Sequence, residues 1–196
     1  MMRWLKSIRA SNRAWLLLAA CIAFLPDVSA GVTGVNDFFD AGTIRPVDIP
    51  TDAPKFEAYS SGDVFKGEPA LPDVKSDPRS KLFRTAIREG ARRGPNFAGH
   101  YTIVSWGCGA ATACWAIVDA QSGEVFHPAN LQTTDNVNID YAIADADDRL
   151  VQYRPDSKLL VVIGGINEDP ELRGISYFVW EHNALNRIRF VPKTYE

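Results

Sequence analysis

The residues best suited to chemistry lie between positions 96 and 115 of this 196-residue chain. This signature segment reads Asn96-Phe97-Ala98-Gly99-His100-Tyr101, then Trp106-Gly107-Cys108-Gly109, then Cys114-Trp115. A histidine can transfer a proton in catalysis, and two cysteines can form a disulfide, act as a redox pair or bind a metal. The segment is therefore compatible with catalysis, a disulfide, a redox pair or a metal site, and the surrounding residues indicate which of these is favoured.

The two cysteines favour a structural disulfide. A hairpin would place Cys108 and Cys114 opposite one another, and in a chain-entropy model a bond enclosing about seven residues contributes about 2.4 kcal/mol. A redox-active pair usually has C-x-x-C spacing, and a metal site that also used His100 would lack an evident fourth ligand. We therefore expect a disulfide, no metal and no cofactor.

His100 is the best candidate for a catalytic base, because it follows Gly99 at the start of a predicted strand. A hydrolase would also need an orienting group or a nucleophile, and Asp119 or Ser105 could supply one. The sequence has no G-x-S-x-G, S-x-x-K, H-E-x-x-H or P-loop motif. A protein without enzymatic activity is favoured, with a hydrolase based on His100 as the alternative.

The signature segment resembles part of a group of exported bacterial proteins to which no activity is assigned. The shared pattern is N-F-A-G-H-Y…W-G-C-G, with a later strand of D-S-K-L-L type. It matches Asn96–Cys114 and about Asp156–Trp180. The resemblance implies export and a common fold, and it implies no particular activity.

A helix is predicted over about 78–93. Asp77 is a good N-cap, Pro78 suits the first helical position, and Gly94-Pro95 ends the helix. The predicted buried face consists of Leu82, Phe83, Ala86 and Ile87. The opposite side carries a basic stripe of Lys81, Arg84, Arg88 and Arg92, with Arg79 and Arg93 nearby. This stripe is a candidate binding surface for an anionic partner.

The signature segment and the residues after it show the two-residue period of strands. Predicted strands lie at 100–106, 114–119, 150–153, 159–163, 175–180 and 187–191, with a further pair at 125–126. Strand 159–163 is apolar throughout, which indicates a central strand covered on both faces. The predicted fold is α+β over 76–196, with an antiparallel meander and one packed amphipathic helix.

An extended arm is predicted over 31–75, which holds five prolines and no regular period. Its aromatic residues are Phe38, Phe39, Phe56, Tyr59 and Phe65. They are sufficient to hold the arm against the core, so it is not expected to be a free linker.

Residues 1–30 have the features of a signal peptide. Basic residues precede the apolar run Ala14–Leu25, which is too short to span about 30 Å of hydrocarbon as a helix. Cleavage is expected after Ala30, leaving no membrane span and a periplasmic or secreted protein. Leu18-Ala19-Ala20-Cys21 also resembles a lipobox, so a lipoprotein anchored at Cys21 is the alternative.

The charge balance limits the possible partners. The chain holds 21 Lys and Arg against 24 Asp and Glu, and the part beyond residue 30 carries a formal charge of −6. An acidic body argues against nucleic-acid binding. The acidic run at 145–148 lacks an EF-hand pattern and is expected to form a solvated turn rather than a calcium site.

The preferred function is a module that binds a protein or an anionic envelope component, of inhibitor, immunity or envelope-associated type. Trp106 and Trp115 are candidate binding residues together with the basic stripe, because Trp and Arg often dominate interfaces.

Overall fold

An antiparallel sheet of eight strands forms the body of the protein. The structure is a computed structural model that describes residues 41–193. The strands are β1 Tyr101–Gly109, β2 Thr112–Asp119, β3 Val125–Phe126, β4 Thr133–Asp135, β5 Val151–Tyr153, β6 Leu159–Ile166, β7 Asp169–Glu181 and β8 Ala184–Pro192. Their order is β1-β2-β4-β6-β7-β8, with β3 beside β2 and β5 beside β6, so β1 and β8 form the edges. Every pair is antiparallel, and the predicted α+β meander is confirmed.

The sheet curls on itself. The rings of Tyr101 on β1 and Trp180 on β7 have centroids 5.2 Å apart, although β2, β4 and β6 lie between those strands in the sheet. In a flat sheet, four steps of about 4.8 Å would separate them by roughly 19 Å. The concave face therefore encloses one core, which includes Phe97, Ile103, Trp115, Ile117, Leu160, Val162, Phe178 and Trp180.

Strand β6 is buried at every position, as expected for a central strand. Its second face packs with β7 in a cluster of Leu159, Val161, Ile163, Ile175, Tyr177 and Val179. Ile44, Phe56 and Tyr59, from the proline-rich stretch, cover this cluster. That stretch forms 3-10 helices at Pro46–Asp48 and Phe56–Tyr59. The predicted signal peptide and two proposed anchors, Phe38 and Phe39, lie outside the described residues.

The predicted helix is divided into α1, Pro78–Leu82, and α2, Arg84–Ala91. Asp77 caps α1 as expected, because its carboxylate accepts hydrogen bonds from two backbone amides of the first turn. The division falls at Phe83, where φ is −103° and ψ is 22°. The expectation that Leu82 is buried is wrong: it is 72% exposed, because α1 turns Ser80 towards the core instead.

Helix α2 packs on the convex face of β1 and β2. Its Ile87 and Ala91 join Val74, Val104, Ala116 and Val118 in a buried cluster, with Phe83 and Trp106 packed against it. A Cβ atom on Gly90 would lie 2.4 Å from a methyl carbon of Val104, so helix and strand approach closely at this point. Gly94 follows the helix with φ +80°, a conformation that favours glycine.

Candidate functional site

The disulfide predicted between Cys108 and Cys114 is present, with Cα atoms 5.8 Å apart. The two residues are not directly opposite one another, which corrects the simple hairpin expectation. Gly107 pairs with Ala113 and Gly109 pairs with Thr112, so Cys108 is the extra residue of a β-bulge. The bond therefore runs from a bulge to a regular strand position.

The two candidate tryptophans lie on opposite faces of the β1–β2 hairpin. Trp115 belongs to the concave core and is 8% exposed, and its indole N–H donates to Thr134 Oγ1 at 3.0 Å. Trp106 lies on the convex side, with its ring centroid 4.9 Å from that of Phe83. They do not form one binding surface, and of the two only Trp115 borders the cleft described below.

The basic stripe is exposed along α1 and α2. Lys81, Arg84, Arg88, Arg92 and Arg93, together called the basic face, are all exposed. None of them forms an ion pair with a residue of 41–193. Arg79 lies outside this set, because its guanidinium donates to the side chain and backbone of Gln132.

Most other arginines are paired with carboxylates. The pairs are Arg149 with Asp145 and Asp147, Arg154 with Glu57 and Asp156, Arg173 with Asp135, and Arg189 with Asp52. Residues 78–93 hold six basic residues and one acidic residue, whereas the rest of 41–193 has a formal charge of −8. The basic face is therefore a concentrated positive surface on an acidic body.

His100 and Asp119 lie next to one another. The hydrolase alternative needs an orienting group beside His100, and Asp119 is in position to be that group. His100 Nδ1 lies 2.9 Å from Asp119 Oδ1, which also accepts the backbone N–H of Gln121 at 2.8 Å. Burial raises the pKa of Asp119, but the hydrogen bonds from His100 and Gln121 outweigh it and hold the pKa below its usual range. The Nε2 atom of His100 has no hydrogen-bond partner among residues 41–193, and the side chain is 32% exposed.

A cavity of about 390 Å³ lies beside this pair. Its lining includes Ser61, His100, Lys158, Glu181 and His182. Ser105, the other suggested partner of His100, does not border this cavity. It lies five residues further along the strand direction, roughly 16 Å away. Ser61 was not identified from the sequence, because it lies in the proline-rich stretch with no motif around it.

A Ser–His hydrogen bond occurs elsewhere, between Ser80 Oγ and His127 Nε2 at 2.8 Å. Ser80 is completely buried, so no substrate can reach its hydroxyl. Burial also lowers the pKa of His127, which favours the neutral ring. This pair ties α1 to the segment after β3 and is not a catalytic centre.

A second cleft, of about 420 Å³, opens beside Trp115. It lies between the β1–β2 tip, β4, and residues 136–153. Apolar side chains include Leu150, Val151 and Ile163, and polar ones include Ser105, Asp135, Asn136, Asp148 and Arg149. A concave site with converging polar groups is suited to a ligand rather than to a flat protein contact.

Comparisons with known proteins give no relative. No protein-family model, no curated protein and no solved structure matches the chain. Within residues 41–193, no group of three His, Cys, Asp or Glu side chains is arranged to hold a metal. No helix in the same range is long and apolar enough to cross a membrane. The function of this chain is therefore inferred from its own geometry.

Proposed function

We propose that the protein is exported and binds an acidic partner protein through the basic face. The observation that supports this most directly is that Lys81, Arg84, Arg88, Arg92 and Arg93 are exposed without carboxylate partners in residues 41–193. Four of the five are arginines, whose planar guanidinium groups bind carboxylates in a bidentate manner. A basic side chain without a carboxylate partner inside the fold gains more electrostatic energy from a partner's carboxylate than a side chain that is already paired.

The size of the basic face supports a protein partner over a lipid surface. From Lys81 to Arg92 it extends roughly 16 Å along the helices, which fits within a standard protein interface of about 800 Å² per partner. A flat anionic bilayer would also approach parts of the body outside the basic face, and the residues of 41–193 outside 78–93 sum to a formal charge of −8. That repulsion acts over about 8–10 Å at physiological salt, so it opposes a broad lipid contact.

Export is supported by the pattern of residues 1–30 and by the disulfide. The bond Cys108–Cys114 suits an oxidising compartment such as the periplasm or the extracellular space. Intact-mass measurement of the exported protein distinguishes the two forms of processing. A chain that starts at Gly31 fits signal-peptide cleavage, whereas a lipidated Cys21 fits the lipoprotein alternative.

The test uses poly-L-glutamate as a carboxylate probe and vesicles of phosphatidylglycerol as the lipid probe. Wild-type protein is expected to bind poly-L-glutamate with an affinity that falls as salt is added, and Arg84→Glu/Arg88→Glu is expected to abolish binding. Lys55→Glu/Lys66→Glu makes the same charge change at exposed residues outside the helices and should retain binding. Equal loss in both variants, or binding to vesicles alone, would contradict the proposal.

A second candidate function is hydrolysis by a water molecule activated at His100. In this reaction His100 Nε2 accepts a proton from water, and Asp119 stabilises the imidazolium through Nδ1. The 2.9 Å contact and the adjoining cavity favour it. p-Nitrophenyl esters provide the probe: turnover lost in His100→Ala and kept in Ser105→Ala supports the activity, and no turnover by wild-type protein excludes it for this substrate class.

A further inference from the structure

The cleft beside Trp115 has an apolar floor and an acidic rim. Val151, Ile163 and the ring of Trp115 line it, and the Trp115 N–H is already bonded to Thr134. Trp115 therefore offers the cleft no free hydrogen-bond donor. This part of the cleft suits the apolar portion of a ligand.

Two tyrosines border the same cleft. Tyr141 is 54% exposed, and its hydroxyl oxygen accepts a hydrogen bond from Asn136 Nδ2 at 2.7 Å. Tyr153 is covered by the guanidinium of Arg149, which lies 4.7 Å from the ring centroid. Tyr141 is therefore the ring available to a ligand, because Arg149 already occupies a face of Tyr153.

The charges around the cleft are mainly negative. Its lining includes the carboxylates of Asp135 and Asp148, and Asp148 forms no ion pair with any residue of 41–193. Five aspartates lie in or next to the lining segments: Asp135, Asp140, Asp145, Asp147 and Asp148. The opposing cations are Arg149 and the buried Arg173, which leaves a formal charge of −3. A cleft with such a field concentrates cations.

Arg149 shows how this part of the fold accommodates a cation. Its guanidinium lies over Tyr153 and contacts Asp145 at 2.8 Å and Asp147 at 3.0 Å. A second aromatic ring, Tyr141, and a second carboxylate, Asp148, line the same cleft, and neither contacts a cation of residues 41–193. Aromatic faces and carboxylates together favour ammonium and guanidinium groups.

The disulfide restrains one wall of the cleft. Ala111, which lines the cleft, lies at the tip of the hairpin that the bond between Cys108 and Cys114 closes. A preorganised site loses less conformational entropy on binding.

We propose that this cleft binds an organic cation, an ammonium or guanidinium group joined to a short apolar body. The apolar body contacts Trp115, Val151 and Ile163, and the cationic group lies between Tyr141, Asp135 and Asp148. This site is distinct from the basic face, which attracts ligands of the opposite charge.

The test compares phenethylamine with its neutral analogue 2-phenylethanol by NMR titration of the full exported protein. The amine is expected to bind at least about tenfold more tightly, since a hydrogen bond between charged groups is stronger than one between neutral groups. Asp148→Asn is expected to weaken amine binding by about tenfold, and Tyr141→Ala by roughly two- to fivefold. Both residues are exposed, so the fold should tolerate these changes.

Asp63→Asn removes an exposed carboxylate outside the cleft and should leave amine binding unchanged. Added salt should weaken binding of the amine but not of the alcohol. Equal affinity for amine and alcohol, no binding of the amine, or full affinity in both cleft variants would overturn the proposal. Because Arg84→Glu/Arg88→Glu leaves the cleft intact, amine binding by that variant separates this proposal from the one concerning the basic face.

Discussion

Cys114 lies opposite Trp106 in the register of β1 and β2, yet it is bonded to Cys108, two residues further along β1. The bulge at Cys108 makes this offset possible by adding one residue to the first strand. As a result, Trp106 keeps its place beneath Phe83 while the disulfide holds the hairpin tip that borders the cleft. One short segment therefore supports both the helix face and the cleft.

Removing the disulfide should destabilise the protein moderately. The double variant Cys108→Ser/Cys114→Ser is expected to lose about 2.4 kcal/mol in free energy of unfolding, because the unfolded chain regains the entropy of a loop of about seven residues. Urea unfolding of wild type and variant measures the difference. Native wild-type protein should have no thiol that reacts at either position, and two reactive thiols in the exported protein would contradict the assignment.

Gly90→Ala should destabilise the fold although alanine is the better helix former. The new methyl group would lie 2.4 Å from Val104 Cγ1, and overpacking of this kind costs about 1–3 kcal/mol. Adding Val104→Ala should recover part of the overpacking cost. Gly107→Ala, where nothing lies within 4 Å of the new carbon, is the control and should change the unfolding free energy by less than about 0.5 kcal/mol. A stabilised Gly90→Ala would show that helix and strand can separate.

Thr134→Val should cost about 1–3 kcal/mol in unfolding free energy, because the shape is kept but the buried N–H of Trp115 loses its acceptor. Thr134→Ser retains an oxygen and should be closer to wild type. Chemical denaturation of the two variants provides the comparison. Equal stability of the valine and serine variants would mean that the indole N–H finds another acceptor.

Asp119 should contribute to stability in a pH-dependent manner. Its folded pKa lies below the unfolded value of about 3.9, so the folded state favours the ionised form. The contribution is fully present above about pH 4 and is lost as the pH falls through the folded pKa. In Asp119→Asn, the free energy of unfolding should therefore depend less on pH below about pH 4. Urea unfolding at a series of pH values measures this dependence.

His100→Ala should reduce this pH dependence only in part, because the backbone N–H of Gln121 still donates to the Asp119 carboxylate. If Asp119→Asn leaves the pH dependence of the unfolding free energy unchanged, the pKa of Asp119 is the same in the folded and unfolded protein.

Most strands were predictable because their patterns are local, but β4 at Thr133–Asp135, which joins β2 to β6, was not among the predicted strands. The uninterrupted apolar run at 159–163 marks β6, and the alternation after His100 marks β1. The disulfide was also predictable, since few residues separate Cys108 from Cys114. The bulge was not, because register depends on cross-strand packing rather than on composition.

The sites were less predictable. Leu82 matched the helical period, but a single break at Phe83 placed it in solvent. His100 and Asp119 were identified as possible partners, whereas Ser61 reaches their cavity only through the path of the proline-rich stretch. Trp115 of β2 and Tyr141 of the connection between β4 and β5 line the same cleft, and no local sequence pattern indicates that they share a site.

Strand β8 ends the sheet, and one of its sides has no strand partner among residues 41–193. An open strand of this kind can recruit another chain and start a fibril. Here Arg187 is exposed without an ion pair in residues 41–193, Arg189 is paired with Asp52, and Pro192 at the end of the strand lacks an N–H. Two copies meeting side by side would bring the Arg187 side chains near one another and leave a gap in the hydrogen bonding at Pro192, and both features oppose polymerisation.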